Sequence, residues 1–430
     1  MTTTESGPPP RARRRRERGA GERSEPLGNH CAQVVTAEVE RADPVAGRRE
    51  RRAEALRWRS RLWGWTSLPR LRNCGRVTHT RAGGPVVRMS EDETGARRTG
   101  LAGLQSCGSP WSCPVCARRI GARRAAEVRE VVQAVADRGG SAALVTMTMR
   151  HRPGMALSLL WAALSAAWSA VTSGAAWKAD KAAFGVVGWL RTVEATIGEN
   201  GWHLHVHALV VFDGPVSHAL MEEIGYGMFG RWERALERKG LSAVAERGGL
   251  DVREVQMSAD SLDRVSDYLS KVAFEITSPS TKDGRHGNRA PFALLRDALA
   301  TGLADDCDLW LEWERASHNR RQLTWSQGLR EWARLGREAT DEEIVAEDLR
   351  GEDVLAIAPE SWPSVREDVS ELLDVIEVDG VAAGIRWLTA RGAGWFVPGH
   401  HQRGDDQDED AQGPPRRQRR RGVPRRRGGR

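Results

Sequence analysis

The chain has 430 residues, 40% of them apolar and 29% charged, which is enough to bury the cores of two or three domains and excludes disorder throughout. Its formal charge of +7 rests on arginine, because Lys occurs only at 178, 181, 239, 271 and 282, and such a chain has capacity for phosphate. No apolar run approaches the roughly 20 residues of a membrane span and no apolar signal segment opens the chain, so no membrane partner and a cytoplasmic location are expected.

Residues 1–30 are Pro, Gly and Arg with hardly any apolar side chain and are expected to be a disordered basic tail. A basic region, 31–130, follows. Residues 1–130 together carry 27 Arg and Lys against 14 Asp and Glu, net +13, and this end is the expected electrostatic contact for DNA. The region contains Cys74 and then Cys107, Cys113 and Cys116 around a Cys-x-x-Cys turn. Four thiolates in closed tetrahedral geometry suit a structural Zn²⁺ that holds a segment with little periodic apolar character of its own. His79 competes with Cys74 for the fourth position. Cys31 and Cys307 fall outside the pattern, and six partly clustered cysteines fit a reducing compartment better than a disulfide framework.

The next region, 131–330, alternates between the two hydrophobic periods. Residues 141–149 read as a strand, and Leu157, Leu160, Trp161, Leu164, Trp168 and Val171 recur at helical spacing. Strands are expected over 186–196 and 203–212, a helix over 216–239, a strand over 250–257 and a helix opening near Asp260. The order β-α-β-β-α-β-α predicts an α+β domain: an antiparallel sheet of split β-α-β (HUH/RRM-like) topology with helices packed on one side. Residues 331–398 carry 6 basic against 16 acidic side chains up to position 400 and read as an acidic helical region; 399–430 read as a second disordered charged tail.

His203, His205 and His207 alternate on one expected strand, so their side chains project from one face at about 6.5–7 Å intervals. The strand before it is joined through Glu199-Asn200-Gly201. With Asn200-Gly201 as the turn, Glu194 falls opposite His207; with Glu199-Asn200 as the turn, it falls opposite His205. Either register sets a carboxylate beside two imidazoles, a donor set suited to Mn²⁺ or Mg²⁺ acting on a phosphate oxygen. Tyrosine occurs only at 226 and 268. Tyr268 lies one helical turn from Lys271, which makes it a nucleophile with a cation nearby, whereas Tyr226 sits in an apolar helical segment and reads as packing.

The His-apolar-His pair followed by a helix with Tyr and, three residues on, Lys resembles the HUH endonucleases, specifically the rolling-circle plasmid replication initiators. The stretches 144–151, 191–196 through 207–209, and Tyr268-Leu269-Ser270-Lys271 are similar to that family's three motifs. The stretches 291–295 and 320–326 resemble the actinobacterial plasmid branch, and the likeness covers roughly 70–390. The resemblance implies site-specific, strand-specific nicking and joining of origin DNA, single-stranded and duplex. His205 and His207 would be metal ligands with Glu194 as the third, Tyr268 the nucleophile and Lys271 an aid to charge or positioning. It also implies a host helicase and polymerase as partners. With one motif tyrosine, the second step is expected to use a carboxylate to activate water, Asp263, Asp267 or Glu275. Two rivals remain: a single-tyrosine transposase or relaxase, and a non-catalytic zinc-dependent DNA-binding regulator whose histidines are structural.

Overall fold

The structure, a computed structural model, describes residues 44–79, 83–92, 95–255, 288–347 and 351–398. The tails expected at 1–30 and 399–430, and the helix expected from 260, lie outside the described residues. The protein is α+β with two antiparallel sheets.

The described residues begin with helices α1 (Pro44–Trp65) and α2 (Pro69–Asn73), then the hairpin β1 (Val86–Glu91) and β2 (Arg97–Ala102), then α3 (Pro114–Asp137). The main sheet is built from β3 (Ser141–Thr148), α4 (Leu157–Val171), α5 (Gly174–Phe184), β4 (Val186–Gly198), β5 (Gly201–Phe212), α6 (His218–Glu237) and β6 (Leu250–Glu254). After it come α7 (Pro291–Thr301), α8 (Ala304–Ser317), β7 (Leu323–Trp325), α9 (Leu329–Trp332) and α10 (Asp341–Glu347). The described residues close with β8 (Glu352–Ile357), α11 (Trp362–Val365), α12 (Val369–Asp379), α13 (Val381–Ala390) and β9 (Trp395–Phe396).

The main sheet has the order β6-β3-β5-β4-β7. One face buries Val145, Met147, Val193, Ala195, Val206 and Val210 against the apolar stripes of α4 and α6. The side chains that recur every three or four residues in those helices, Leu160, Leu164, Trp168 and Met221, Ile224, Met228, are the ones that meet the sheet. The other face is not bare, contrary to the one-sided packing expected from sequence. Val128, Val131, Val132 and Val135 of α3 cover Leu144, Leu190, Leu209 and Val211, with Leu323 and Leu329 beside them. The burial of β5 records this: residues alternate between half-buried and buried up to Val206, and from His207 onward every residue is buried. Among the described residues, half of the second face is therefore left uncovered by α3, at the end nearest the β4–β5 turn.

The second sheet, order β2-β1-β8-β9, draws two strands from each end of the described chain. Its core joins Val87 and Leu101 to Leu355, Ile357, Leu372, Leu373, Ile376 and Leu388, with Leu56 of α1 against it. The charge asymmetry of the sequence has a structural use here. Arg48 and Arg52 of α1 converge on the buried Glu377 of α12, whose Oε1 accepts from Arg48 Nη2 at 2.9 Å. Thr99 donates its backbone N–H to Glu377 at 3.1 Å, and Arg52 also pairs with Asp374. Arg88 pairs with Asp353 across the sheet, and Arg124 of α3 is bonded to Glu127 at 2.9 Å and to Asp341 at 3.0 Å. Part of the basic end is thus neutralised by the acidic end within one molecule instead of facing outward to DNA.

Burial alone would push the Glu377 carboxyl up, but Arg52 and Arg48 hold it below its ordinary value of 4.5. A carboxylate depressed in the folded state adds stability that is present above that value and is lost as pH falls below it, because the unfolded chain takes the proton first. Glu377→Gln should cost about 2 kcal/mol at neutral pH by removing the buried anion that Arg48 and Arg52 share, each keeping one other carboxylate partner, and the loss should shrink as pH is lowered below 4.5. Urea unfolding at a series of pH values checks this; a constant difference at all pH values would remove the ion pairs as its cause.

Candidate active site

Strands β4 and β5 close on Glu199-Asn200, with Gly198 opposite Gly201. Of the two registers open to the sequence, this is the one that sets Glu194 opposite His205. His205 Nε2 and His207 Nε2 lie 2.8 and 2.9 Å from a single atom, Glu194 Oε2. On the other side of β5, strand β3 places Thr148 opposite His205 and Thr146 opposite His207, and Thr146 in turn faces Asp251 of β6. The group therefore occupies the half of the sheet face that α3 leaves uncovered. His207 is the buried member, at 3% side-chain exposure, while His205 and Glu194 reach solvent at 13% and 21%.

The hairpin is anchored at its open end. Glu312 of α8 accepts from Trp202 Nε1 at 2.9 Å and from the first backbone N–H of α4, at Leu157, at 2.8 Å. One carboxylate thus caps a helix and holds the residue beside His203.

Hydrogen-bond partners fix several proton positions. His151 Nδ1 is 2.9 Å from the carbonyl oxygen of Asn200, which only accepts, so this nitrogen carries the proton. In the neutral ring Nε2 is then bare, and His203 Nδ1, 2.9 Å from it, donates. His203 is engaged with His151, not with Glu194. Burial first, and then the charges of His205 and His151, push His203 down to about 4. Burial likewise lowers His207, against the pull of Glu194. Burial would raise Glu194, yet the charge of His205 and the hydrogen bonds from His205 and His207 hold it well below the usual carboxylate range. Thr146 Oγ1 lies 2.9 Å from His207 Nδ1. A hydroxyl both donates and accepts, so it serves either tautomer; when His207 Nε2 gives its lone pair to a cation, Nδ1–H donates to Thr146. Two imidazoles and one ionised carboxylate with an open side form a donor set for a divalent cation that keeps exchangeable positions.

The four cysteines form a second, closed group. Cys74 Sγ lies 3.7 Å from Cys113 Sγ and 3.6 Å from Cys116 Sγ, and Cys107 Sγ lies 3.6 Å from Cys116 Sγ. A tetrahedron built on metal–sulfur bonds of about 2.3 Å has edges of about 3.8 Å, so the spacing fits a tetrathiolate centre and is far too long for disulfides. All four are buried. Hydrogen bonds from Cys107, Cys113 and Cys116 hold the Cys74 thiol well down, whereas its neighbours push Cys107 up and burial pushes Cys113 up. His79, the rival for the fourth position, is exposed and stands apart from the group.

Tyr268, Lys271, Asp263, Asp267 and Glu275 lie outside the described residues. Tyr226 does not pack as its apolar neighbours suggest: α6 turns it outward at 56% exposure while Met221, Ile224, Met228 and Phe229 face the sheet. Thr146, His151 and Asp251 escaped the sequence reading as site residues. The alternation of Thr146 and Thr148 was visible, but only pairing with β5 shows which face it lines.

The chain belongs to the replication protein family, whose profile matches residues 98–363. It is similar to a protein called "Protein rep" from Streptomyces lividans, with 28% identity over 352 residues, covering 65% of this chain and 76% of that protein. It is also similar to a protein named "Neomycin resistance protein" from Streptomyces cyanogenus, with 36% identity over 137 residues, 26% of this chain and 31% of that protein. No solved structure matches. Among the described residues no single helix is long and apolar enough to cross a membrane.

The bond at Thr146 makes a direct prediction. Thr146→Val keeps the shape and removes the acceptor, and loss of such an outer partner typically costs 10–100-fold in metal affinity. Titration of the full chain with Mn²⁺ should show this loss, and Thr146→Ser should recover most of it. Wild-type affinity in Thr146→Val would show that the hydroxyl does not orient His207.

Proposed function

We propose that the chain is a plasmid rolling-circle replication initiator that nicks one strand of origin DNA through a tyrosine and later rejoins it. The observation that carries this reading is the convergence of His205 and His207 on Glu194 at the open half of a sheet face, 2.8 and 2.9 Å from one oxygen. We read the order β6-β3-β5-β4 as the split β-α-β arrangement of the HUH endonucleases. Family membership and the likeness to "Protein rep" support the replication role.

A divalent ion such as Mn²⁺ or Mg²⁺, held by Glu194, His205 and His207, would withdraw charge from a non-bridging oxygen of the scissile phosphate. The protein's own groups do the rest. Thr146 holds the His207 ring through Nδ1, which would leave Nε2 to serve as a ligand, and Glu312 anchors the strand that carries the histidines. The Tyr268 oxygen attacks phosphorus, forming a 5′-phosphotyrosine bond as the phosphorus–O3′ bond breaks; the phenol proton passes to solvent or a base, and the 3′ oxygen leaves as a hydroxyl for a polymerase to extend. Lys271 lies three residues on, positioned in sequence to offset charge on that phenol. One of Asp263, Asp267 and Glu275 would activate the water that cuts the regenerated origin, and the 3′-hydroxyl so freed would attack the phosphotyrosine phosphorus, rejoining the strand as the bond from phosphorus to the tyrosine oxygen breaks and the phenol regains a proton. The four cysteines would hold a structural Zn²⁺, fastening the α3 side of the sheet to the segment around Cys74. Residues 131–330 would form the nicking and joining domain, and the second sheet, with strands from 86–102 and 352–396, a single supporting unit. Origin DNA, a host helicase and a polymerase follow as partners.

Supercoiled DNA of the element that encodes the chain provides the test. Wild-type protein with Mn²⁺ should convert it to the nicked form and remain attached to the new 5′ end. Tyr268→Phe should still bind DNA but lose nicking and adduct, and His205→Ala should lose the metal-dependent cleavage. An adduct mapped by mass spectrometry to the exposed Tyr226 would sink the nucleophile assignment. Sequence-specific binding with no cleavage at any metal concentration would favour a regulator instead.

A further inference from the structure

We propose that Arg59 is the built-in counter-ion of the four-cysteine centre, a buried cation that offsets the negative charge of a metal tetrathiolate. This rests on reading the cysteines as a metal centre. Helix α1 presents Arg59 and, one turn later, Trp63 to the segment around Cys74. Trp63 Nε1 donates to the Cys74 carbonyl oxygen at 2.9 Å, which ties the helix to that segment. Arg59 is 5% exposed, and its Nε and Nη2 are buried without a hydrogen-bond partner among the described residues. No carboxylate pairs with it among those residues. Its guanidinium lies 5.8 Å from the centroid of the Trp63 ring, and Arg366 covers the same ring at 5.4 Å.

Gly75 shows how closely the guanidinium is seated. Its φ of +64° is in the left-handed region, and a Cβ there would collide with Arg59 Cζ, Nη1 and Nη2. The residue after Cys74 is thus a glycine on two counts, and its missing side chain leaves room for the cation next to a cysteine of the cluster.

A guanidinium taken out of water with no anion beside it is strongly unfavourable. Four neutral thiols supply no anion. Four thiolates around a divalent ion leave two net negative charges, and a buried cation next to Cys74 is what such a centre requires. At 5% exposure the group is too deep to meet a DNA phosphate, which removes the usual role of arginine in a nucleic-acid enzyme.

The test uses the full chain purified without chelator, with zinc content and the rate of zinc transfer to a chromogenic chelator as readouts. Arg59→Met keeps most of the stem and removes the charge; Arg59→Lys keeps the charge; Arg59→Gln replaces Met should that variant not fold. The expected result is zinc bound 10–100-fold more weakly and released faster in the neutral variants, with most of the loss recovered by Lys. Cobalt-substituted protein should show the thiolate charge-transfer band shifted in the neutral variants and not in Lys. Wild-type zinc affinity in Arg59→Met, with Lys the worse of the two, would show a packing role and overturn the proposal. A wild-type chain that holds no metal and takes none up would overturn the tetrathiolate reading itself, and Arg59 with it.

Discussion

Glu194 lies directly across from His205 in an antiparallel pair, and the chemistry of the sheet depends on that register. Side chains on a strand alternate between faces, so a slip of one residue would carry the carboxylate to the side where Val193 and Ala195 pack against α4 and α6. The neighbouring strands depend on the same register. β3 is paired so that Thr146 meets His207, and β6 so that Asp251 meets Thr146, giving a row Asp251–Thr146–His207–Thr192 across four strands. Polar side chains in such a row are tolerable because only the C-terminal part of α3, from Val128 on, covers this face. The apolar residues of that face, Leu144, Leu190, Leu209 and Val211, lie under the helix. The sheet is thus a core at one end and a site at the other, and the border lies where α3 passes from the sheet, at Val128, to the cysteine segment, at Ile120 and Cys116.

Charge is arranged by a similar division. The sequence separates net positive and net negative ends, and much of that contrast is consumed inside the protein: Arg48, Arg52, Arg88 and Arg124 meet Glu377, Asp374, Asp353 and Asp341. Partners three hundred residues apart in sequence become neighbours because β1 pairs with β8. Of these, Glu377 matters most to stability, being buried and fully bonded. Exposed pairs such as Arg70 with Glu342 contribute about 0–1 kcal/mol. Arginine content therefore overstates the surface available to DNA, and net charge by region is a poor map of where nucleic acid meets this chain.

What the sequence made legible was local. The β4–β5 hairpin, α4 and α6 follow from periodicity and turn residues, and their bounds fall within a few residues of expectation. The hairpin turn is Glu199-Asn200, and Gly201, at φ +82°, takes the left-handed conformation that lets the second strand leave the turn. Asn-Gly marked the hairpin correctly while leaving its register open by one residue, because glycine serves in the turn or just after it. The clustering of Cys74 with Cys107, Cys113 and Cys116 was legible because the ligand types are rare in this chain. The pairing of β1 with β8, the seat of α3 on the second face, the outward turn of Tyr226 and the burial of Arg59 were not. Each is decided by contacts between segments far apart in sequence, which no local period encodes.

The two candidate centres have opposite designs. The four cysteines are buried together and form a closed group of soft donors, whereas two imidazoles and a carboxylate at 3–21% exposure form a harder donor set that reaches solvent. The centres are also mechanically joined. Trp111 lies within the cysteine segment, donates to the Arg320 carbonyl at 2.7 Å and accepts at its own carbonyl from Trp313 Nε1 at 3.0 Å. Trp313 stacks on Trp202 with ring centroids 5.7 Å apart, and Trp202 adjoins His203. Buried aromatic contacts are rigid and poorly compressible. The buried four-cysteine group at one end of this chain of rings then gives the hairpin that carries Glu194, His205 and His207 a fixed wall to stand against, which the short apolar stretches around Cys74 and Cys107 do not provide by themselves.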